Sequence, residues 1–332
     1  MTWNPHRMNH RFLVLVGGLA ATMAGVALLV STALAQTSTA KPRSSLHTPW
    51  GDPDLQGMWT NTTTTPFERP KELEGKQVLT PEELAVRDKQ RAGEVSFDRT
   101  PAAGNPGLYN EFWVERGKHG NRTSLVVDPP DGRVPPLTPE AQKRADARAQ
   151  YRRQHPADSW EDLTGFTRCI SRGLPGGMTP GFYNHNYHIL QTPGYVVMVV
   201  EMIHEVRVIP LDGRPHLGQN VRQWFGDSRG RWEGNTLVIE TTNFSPKTEY
   251  RESRENLHLI ERLTRVDANN IDYAFTVDDP TTWTKPWTAS IPMTTLNGQL
   301  FEYACHEGNY ALPGILAGAR AEEKAAGGAK RP

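Results

Sequence analysis

Period-two alternation of apolar and polar positions dominates the second half of the chain. From 183 to 213 the apolar run breaks only at Thr192-Pro193-Gly194, which predicts a hairpin ending at Leu211-Asp212-Gly213. Gly230 to Asn235 introduces a strand at 236–242, and shorter alternating runs follow at 258–266, 271–277, 288–295 and 301–306. Asp279-Pro280 and Asn297-Gly298 are among the turn signals that separate them. Seven or so strands joined by short loops predict an antiparallel meander. Closing it as a lipocalin-like β-barrel removes exposed edges. A β-sandwich has the same strand count and turn spacing and is the alternative.

The first half reads differently. Residues 41–160 are rich in Pro, Thr, Gly and charge and carry few sustained apolar periods, the pattern of an irregular wrapping arm. Thr80 followed by Pro81-Glu82-Glu83 predicts a helix over 81–92, and Thr138-Pro139-Glu140 predicts a second ending near Arg153. Short strands are expected at 110–115 and 124–127. At the N-terminus, Arg7 and Arg11 precede an apolar run that ends at Ala33-Leu34-Ala35, an A-x-A cleavage pattern. The expected organisation is therefore a signal peptide at 1–35, the arm with short helices at 36–165, the barrel at 166–315 and a disordered tail at 316–332. The apolar run is also about long enough to remain as an uncleaved membrane anchor.

Composition narrows the partners. Lys plus Arg equals Asp plus Glu at 37 each, so the total charge predicts neither nucleic-acid binding nor an anionic membrane surface. A small molecule is the expected partner, with membrane contact only if the N-terminal segment stays uncleaved. Cys169 and Cys305 are the two cysteines, and in an oxidising compartment they are expected to form a disulfide closing a long loop. Two buried thiols are the other possibility. No phosphate-binding glycine loop, no GxSxG elbow and no HExxH appears, and His185 and His188 sit three apart, a spacing that diverges on a strand. Neither a metal nor a cofactor is expected.

Candidate chemistry comes from polar residues within apolar strands. If 195–208 is one strand, His204 is the lone polar member of the face shared by Val196, Met198, Val200, Met202, Val206 and Val208, and it points into the barrel. Glu201 and Arg207 then lie on the opposite face. On the run from Phe301, Glu302 and His306 share a face, where a carboxylate can orient an imidazole. His204 and His306 are the candidate acid and base, with Glu201 and Glu302 assisting. Arg207, Arg172, His188, Asn309 and Trp224 are the candidate substrate-binding residues. Glu261, among Leu257, Leu259 and Leu263, needs a cationic partner that Arg207 or Arg172 would supply.

The segments Asp54-Leu-Gln-Gly-Met-Trp59, GDSRGRWEGNTLVIE (226–240) and YACHEGNY (303–310) resemble an uncharacterised family of secreted bacterial proteins, as does the stretch 122–132. The likeness covers most of the chain beyond the signal and implies no activity. The expected function is an extracytoplasmic enzyme, a lyase, isomerase or hydrolase using His/carboxylate proton transfer on a small organic or sugar-like molecule. A non-catalytic carrier of an apolar ligand and a structural envelope protein are the alternatives.

Overall fold

The computed structural model describes residues 46–94, 114–115, 117–181, 183–325 and 327. The signal peptide expected at 1–35 and most of the strand expected at 110–115 lie outside these residues. Ten strands form one antiparallel sheet: β1 (Gly57–Thr60), β2 (Val126–Asp128), β3 (Asn186–Thr192), β4 (Tyr195–Val200), β5 (Glu205–Pro210), β6 (Asp227–Glu233), β7 (Thr236–Thr242), β8 (His258–Arg265), β9 (Asn270–Asp278) and β10 (Trp287–Thr295). The ladder runs β5-β4-β3-β1-β10-β9-β8-β7-β6, with β2 attached to β10, and nine strands curl into a nearly closed barrel. The arm is thus not only a wrapping: β1 is inserted between β3 and β10 and completes the barrel wall.

Both helices expected in the arm are present, and their caps explain them. In α1 (Pro81–Glu94) the Glu83 carboxylate accepts the Thr80 N–H at 2.8 Å while Thr80 Oγ1 accepts the Glu83 N–H at 3.3 Å, a reciprocal capping box. In α2 (Pro139–Gln154) Thr138 Oγ1 accepts the Ala141 N–H, and Pro139 occupies the first turn, where no amide bond is lost. A third helix, α3 (Ala311–Ala325), occupies much of the stretch expected to be a disordered tail. Among the described residues, no helix is long and apolar enough to cross a membrane.

The run 195–208 is two strands. Glu201 to His204 form a turn with Ile203 and His204 in the left-handed region (φ 58° and 44°), so β4 and β5 pair as a hairpin with Val200 opposite Glu205. Paired residues share a face, so the inward parity changes from even to odd across the turn. Val206 and Val208 consequently face solvent at 54% and 58% exposure, while Glu205, Arg207 and Ile209 are buried. The reading of His204 as an inward residue of a continuous strand is corrected here: it stands exposed at the turn. The run 301–306 is not a strand either, but an irregular and mostly exposed segment.

Side chains fill the barrel. Trp59, Tyr187, Ile189, Met198, Tyr273, Phe275 and Trp287 are fully buried within it. Phe67, Tyr250 and Trp283 pack on Trp287 with ring centroids 6.0 to 6.2 Å apart and plug one region of the core. The end strands β5 and β6 meet at a seam joined by side chains. Gly230 on β6 lies so close to Ile209 and Leu211 that a Cβ there would sit 2.9 and 2.5 Å from their methyls, and Arg207 Nη2 reaches Ser228 Oγ at 3.4 Å.

Arg207 also donates two parallel hydrogen bonds to Glu261, at 3.0 and 2.6 Å, and the Tyr273 hydroxyl donates to the same carboxylate at 2.8 Å. Both ionic side chains are essentially sealed from water. Burial by itself would push the Arg207 pKa down, but the adjacent Glu261 carboxylate reverses this and holds it above the ordinary value. Breaking such a pair strands a buried charge, whereas replacing both partners with apolar residues removes the penalty. Arg207→Met is therefore expected to lower unfolding free energy by about 3–5 kcal/mol. Arg207→Met combined with Glu261→Leu is expected to recover much of that loss, as read by urea denaturation. A double variant no more stable than the single one would show that Glu261 is not what the single substitution strands.

Candidate functional site

A cavity of about 690 Å³ lies where α2, the 161–173 segment and the 247–254 segment converge, with Trp224 on its wall. Tyr250, one of the residues packed on Trp287, forms part of its lining and so joins the cavity to the barrel core. The turn after Tyr250 is tight: Arg251 and Glu252 adopt positive φ, and Tyr250 and Ser253 exchange backbone hydrogen bonds of 3.0 and 2.9 Å. This turn carries Arg251 over the Phe67 ring at 4.2 Å, where it also meets Glu68.

Seven cationic side chains line the cavity against three carboxylates. The carboxylates are Glu161, Asp162 and Glu249; Glu249 is shared among Arg148, Arg152 and Arg254, and Glu252, outside the lining, takes a second nitrogen of Arg148. Asp162 is committed to Ser159 and to the Tyr151 hydroxyl. Three cations remain without a carboxylate partner among the described residues. Arg168 lies over Trp160 at 4.4 Å, Arg172 lies over Phe166 at 5.2 Å, and the Lys247 ammonium makes no ion pair. Guanidinium groups resting on rings keep their hydrogen-bonding edges available, and excess positive charge in a concave site raises the local potential for anions.

A disulfide and the C-terminal segment hold this wall. Cys169, in the left-handed region at φ 54°, is bonded to Cys305 across 136 residues, as expected from the sequence. Asn309 Nδ2 donates to the Thr167 carbonyl at 3.0 Å, and Arg320 of α3 donates to the Ala157 and Asp158 carbonyls. Closing a loop of this length stabilises by roughly 5 kcal/mol in the chain-entropy picture. Its local consequence is a wall segment tied at its middle.

Glu201 and His204 meet the same segment at the barrel turn. The Glu201 carboxylate accepts from Asn186 Nδ2 at 2.6 Å and from the Phe301 N–H at 2.9 Å, and His204 Nδ1 lies 3.0 Å from the Tyr303 carbonyl oxygen. They act as clamps on the 301–303 backbone. Glu302 and His306 are exposed, do not form a strand face, and do not line the cavity. The expected convergence of His204, His306 and a carboxylate on one pocket is absent. Of the expected substrate-binding residues, Arg172 and Trp224 are brought together in the cavity; Arg207 is inside the barrel, His188 lies half-buried on β3, and Asn309 anchors the disulfide region.

Behind the cavity wall lies Glu205, 5% exposed. Its Oε1 accepts the Arg172 backbone N–H at 3.0 Å, while Oε2 is buried without a hydrogen-bond partner, and a Cβ on Gly177 would sit 3.0 Å from it. Burial raises its pKa to about 7 against the pull of Ser171, Arg172 and Arg207. His185 lies in the field of the same arginine, and burial first, Arg172 second, depress it to about 3. Glu205, Arg168, Phe166 and Lys247 did not stand out in the sequence reading. The available signal was the run of basic residues at Arg148, Arg152, Arg168, Arg172, Lys247, Arg251 and Arg254, dispersed over a hundred positions. Comparison with protein-family models finds no match, and neither does comparison with curated proteins.

The Glu205 shift has a defined consequence for stability. The folded carboxyl titrates near 7 and the unfolded one near 4.5, so between those values the native state holds a proton that the unfolded chain has lost. Stability from this group therefore falls as pH rises above about 4.5 and levels off once the folded carboxyl has ionised, just past 7. His185, depressed in the native state, acts in the opposite sense below about 6.5 and is neutral in both states above it. With His185 offsetting part of the Glu205 loss, wild-type protein is expected to lose roughly 0.5 kcal/mol between about pH 6.5 and 8. Glu205→Gln is expected to remove this fall from the denaturation-midpoint profile. An unchanged slope in the variant would assign the titration elsewhere.

Proposed function

We propose that the chain is an extracytoplasmic protein that binds a small anionic molecule with a flat apolar body in the cavity beside the barrel. The observation that carries this reading is the set Arg168, Arg172 and Lys247, which line the cavity without carboxylate partners and stand beside Phe166, Trp224 and Tyr250. A carboxylate, sulfonate or phosphate head would accept charge-assisted hydrogen bonds from the cations. An apolar body would lie on the rings. The size suits this class, since small-ligand sites commonly occupy about 300–1,000 Å³.

Location outside the cytoplasm is supported by the disulfide and by the A-x-A pattern at Ala33-Leu34-Ala35. Proton transfer by His204 and His306 is not part of this reading, because neither residue lines the cavity. The apolar-carrier alternative draws no support from the barrel interior, where large side chains pack against each other.

Isothermal titration calorimetry with benzenesulfonate tests the reading. Saturable binding is expected, weakening as salt rises because the head is recognised largely by charge. Arg172→Gln and Lys247→Gln are each expected to weaken it about tenfold or more, the loss of one charge-assisted hydrogen bond. Arg231→Gln, an equal change of charge at an exposed position on the outside of β6, is expected to leave it unaltered. No saturable binding by the wild-type protein, or equal losses in all three variants, would contradict the assignment.

A further inference from the structure

We propose that the cavity takes up its anionic ligand together with a proton, and that Glu205 is the group that receives it. This rests on the anion-binding reading above and adds a mechanism to it. The dipeptide Ser171-Arg172 is the shared wall: both residues line the cavity, and on the other side the Arg172 N–H donates to Glu205 Oε1 at 3.0 Å. A negative head at the Arg172 guanidinium therefore competes with the ionised Glu205 for a cation whose charge also favours that carboxylate.

The charged groups around Glu205 make that competition unequal. On its own strand, Arg207 is held in two hydrogen bonds by Glu261 of β8 and is not free to move toward Glu205. On β4 the cross-strand partner is Val200, and the short helix Gly176–Met178 presents only the Gly177 backbone. Arg207 and, less strongly, Arg172 stabilise the ionised carboxylate, and of the two only Arg172 lines the cavity. Two other titratable groups in Arg172's field, His185 and Tyr187, are buried and stay neutral near pH 7, the first depressed and the second raised by burial. Once an anion engages the Arg172 guanidinium, the ionised carboxylate faces an added negative charge and its Oε2 has no donor to turn to. Protonation removes the conflict. The proton comes from solvent and bonds to a carboxylate oxygen, so the net charge of the complex is one unit more positive than the sum of protein and ligand.

Benzenesulfonate is a suitable probe because its head remains ionised throughout the neutral range, leaving any pH dependence to the protein. For the wild-type protein the dissociation constant is expected to rise several-fold from pH 6 to pH 8, with proton uptake visible as a dependence of the binding heat on buffer ionisation enthalpy. Glu205→Gln, permanently neutral, is expected to bind at both pH values about as tightly as wild type at pH 6. His155, which stacks on the cavity residue Tyr151, is the control position, and His155→Asn is expected to retain the wild-type slope. Wild-type binding with equal affinity at the two pH values and no proton uptake would overturn the coupling while leaving the anion site standing. Absence of binding at both would overturn the site itself. If Glu205→Gln fails to fold, loss of the slope in His155→Asn overturns the assignment to Glu205, and its retention together with proton uptake upholds it.

Discussion

The buried ion pair between Arg207 and Glu261 is the interaction on which the remaining geometry depends. The sheet is an open ladder whose end strands, β5 and β6, are joined by side chains instead of a continuous backbone ladder. Arg207 reaches from β5 to Glu261 on β8 and touches Ser228 on β6, so one guanidinium links both edges to the interior. Such a pair adds little net stability against an apolar replacement, but it specifies one register. A slip of β5 by one residue would turn Arg207 to solvent and strand Glu261.

That register places the other acidic residue of β5. Glu205 lies two positions before Arg207, so it shares the inward face and arrives beneath Ser171-Arg172 at the cavity wall. The wall itself is held from the opposite direction by the Cys169–Cys305 disulfide, by Asn309 and by α3. Two covalently distant parts of the chain therefore meet at Arg172. Its cation faces a solvent-accessible cavity while its backbone serves a buried carboxyl.

Much of the fold was legible in the sequence. The strands after 236, the hairpin at Thr192-Pro193-Gly194, both capped helices of the arm and the disulfide follow from alternation, turn chemistry and cysteine spacing. The turn at 201–204 was not legible, because it places Ile203 and His204 in the left-handed region without a Gly or Asn to announce it. Ile203 is held there by burial, and His204 by its N–H bond to the Glu201 carbonyl at 3.0 Å and by its contact with Tyr303. Missing that turn inverted the parity of everything after it. Hence His204 read as interior and Arg207 as exterior. Glu302 and His306 were misplaced for a different reason: alternation in 301–306 satisfied the strand pattern, but the disulfide and Glu201 hold that segment as an irregular strap. The cavity was hidden because a net charge of zero over the chain conceals a local excess of arginine gathered from three segments.

The most direct measurement is a crystal structure of the protein with 4-bromobenzenesulfonate, in which anomalous scattering locates the bromine and difference density locates the sulfonate. The account predicts one site in the cavity, the sulfonate oxygens within hydrogen-bond distance of Arg172 and Lys247 and the ring against Phe166 or Trp224. A sulfonate seated elsewhere, or a cavity that stays empty under saturating ligand, would contradict it.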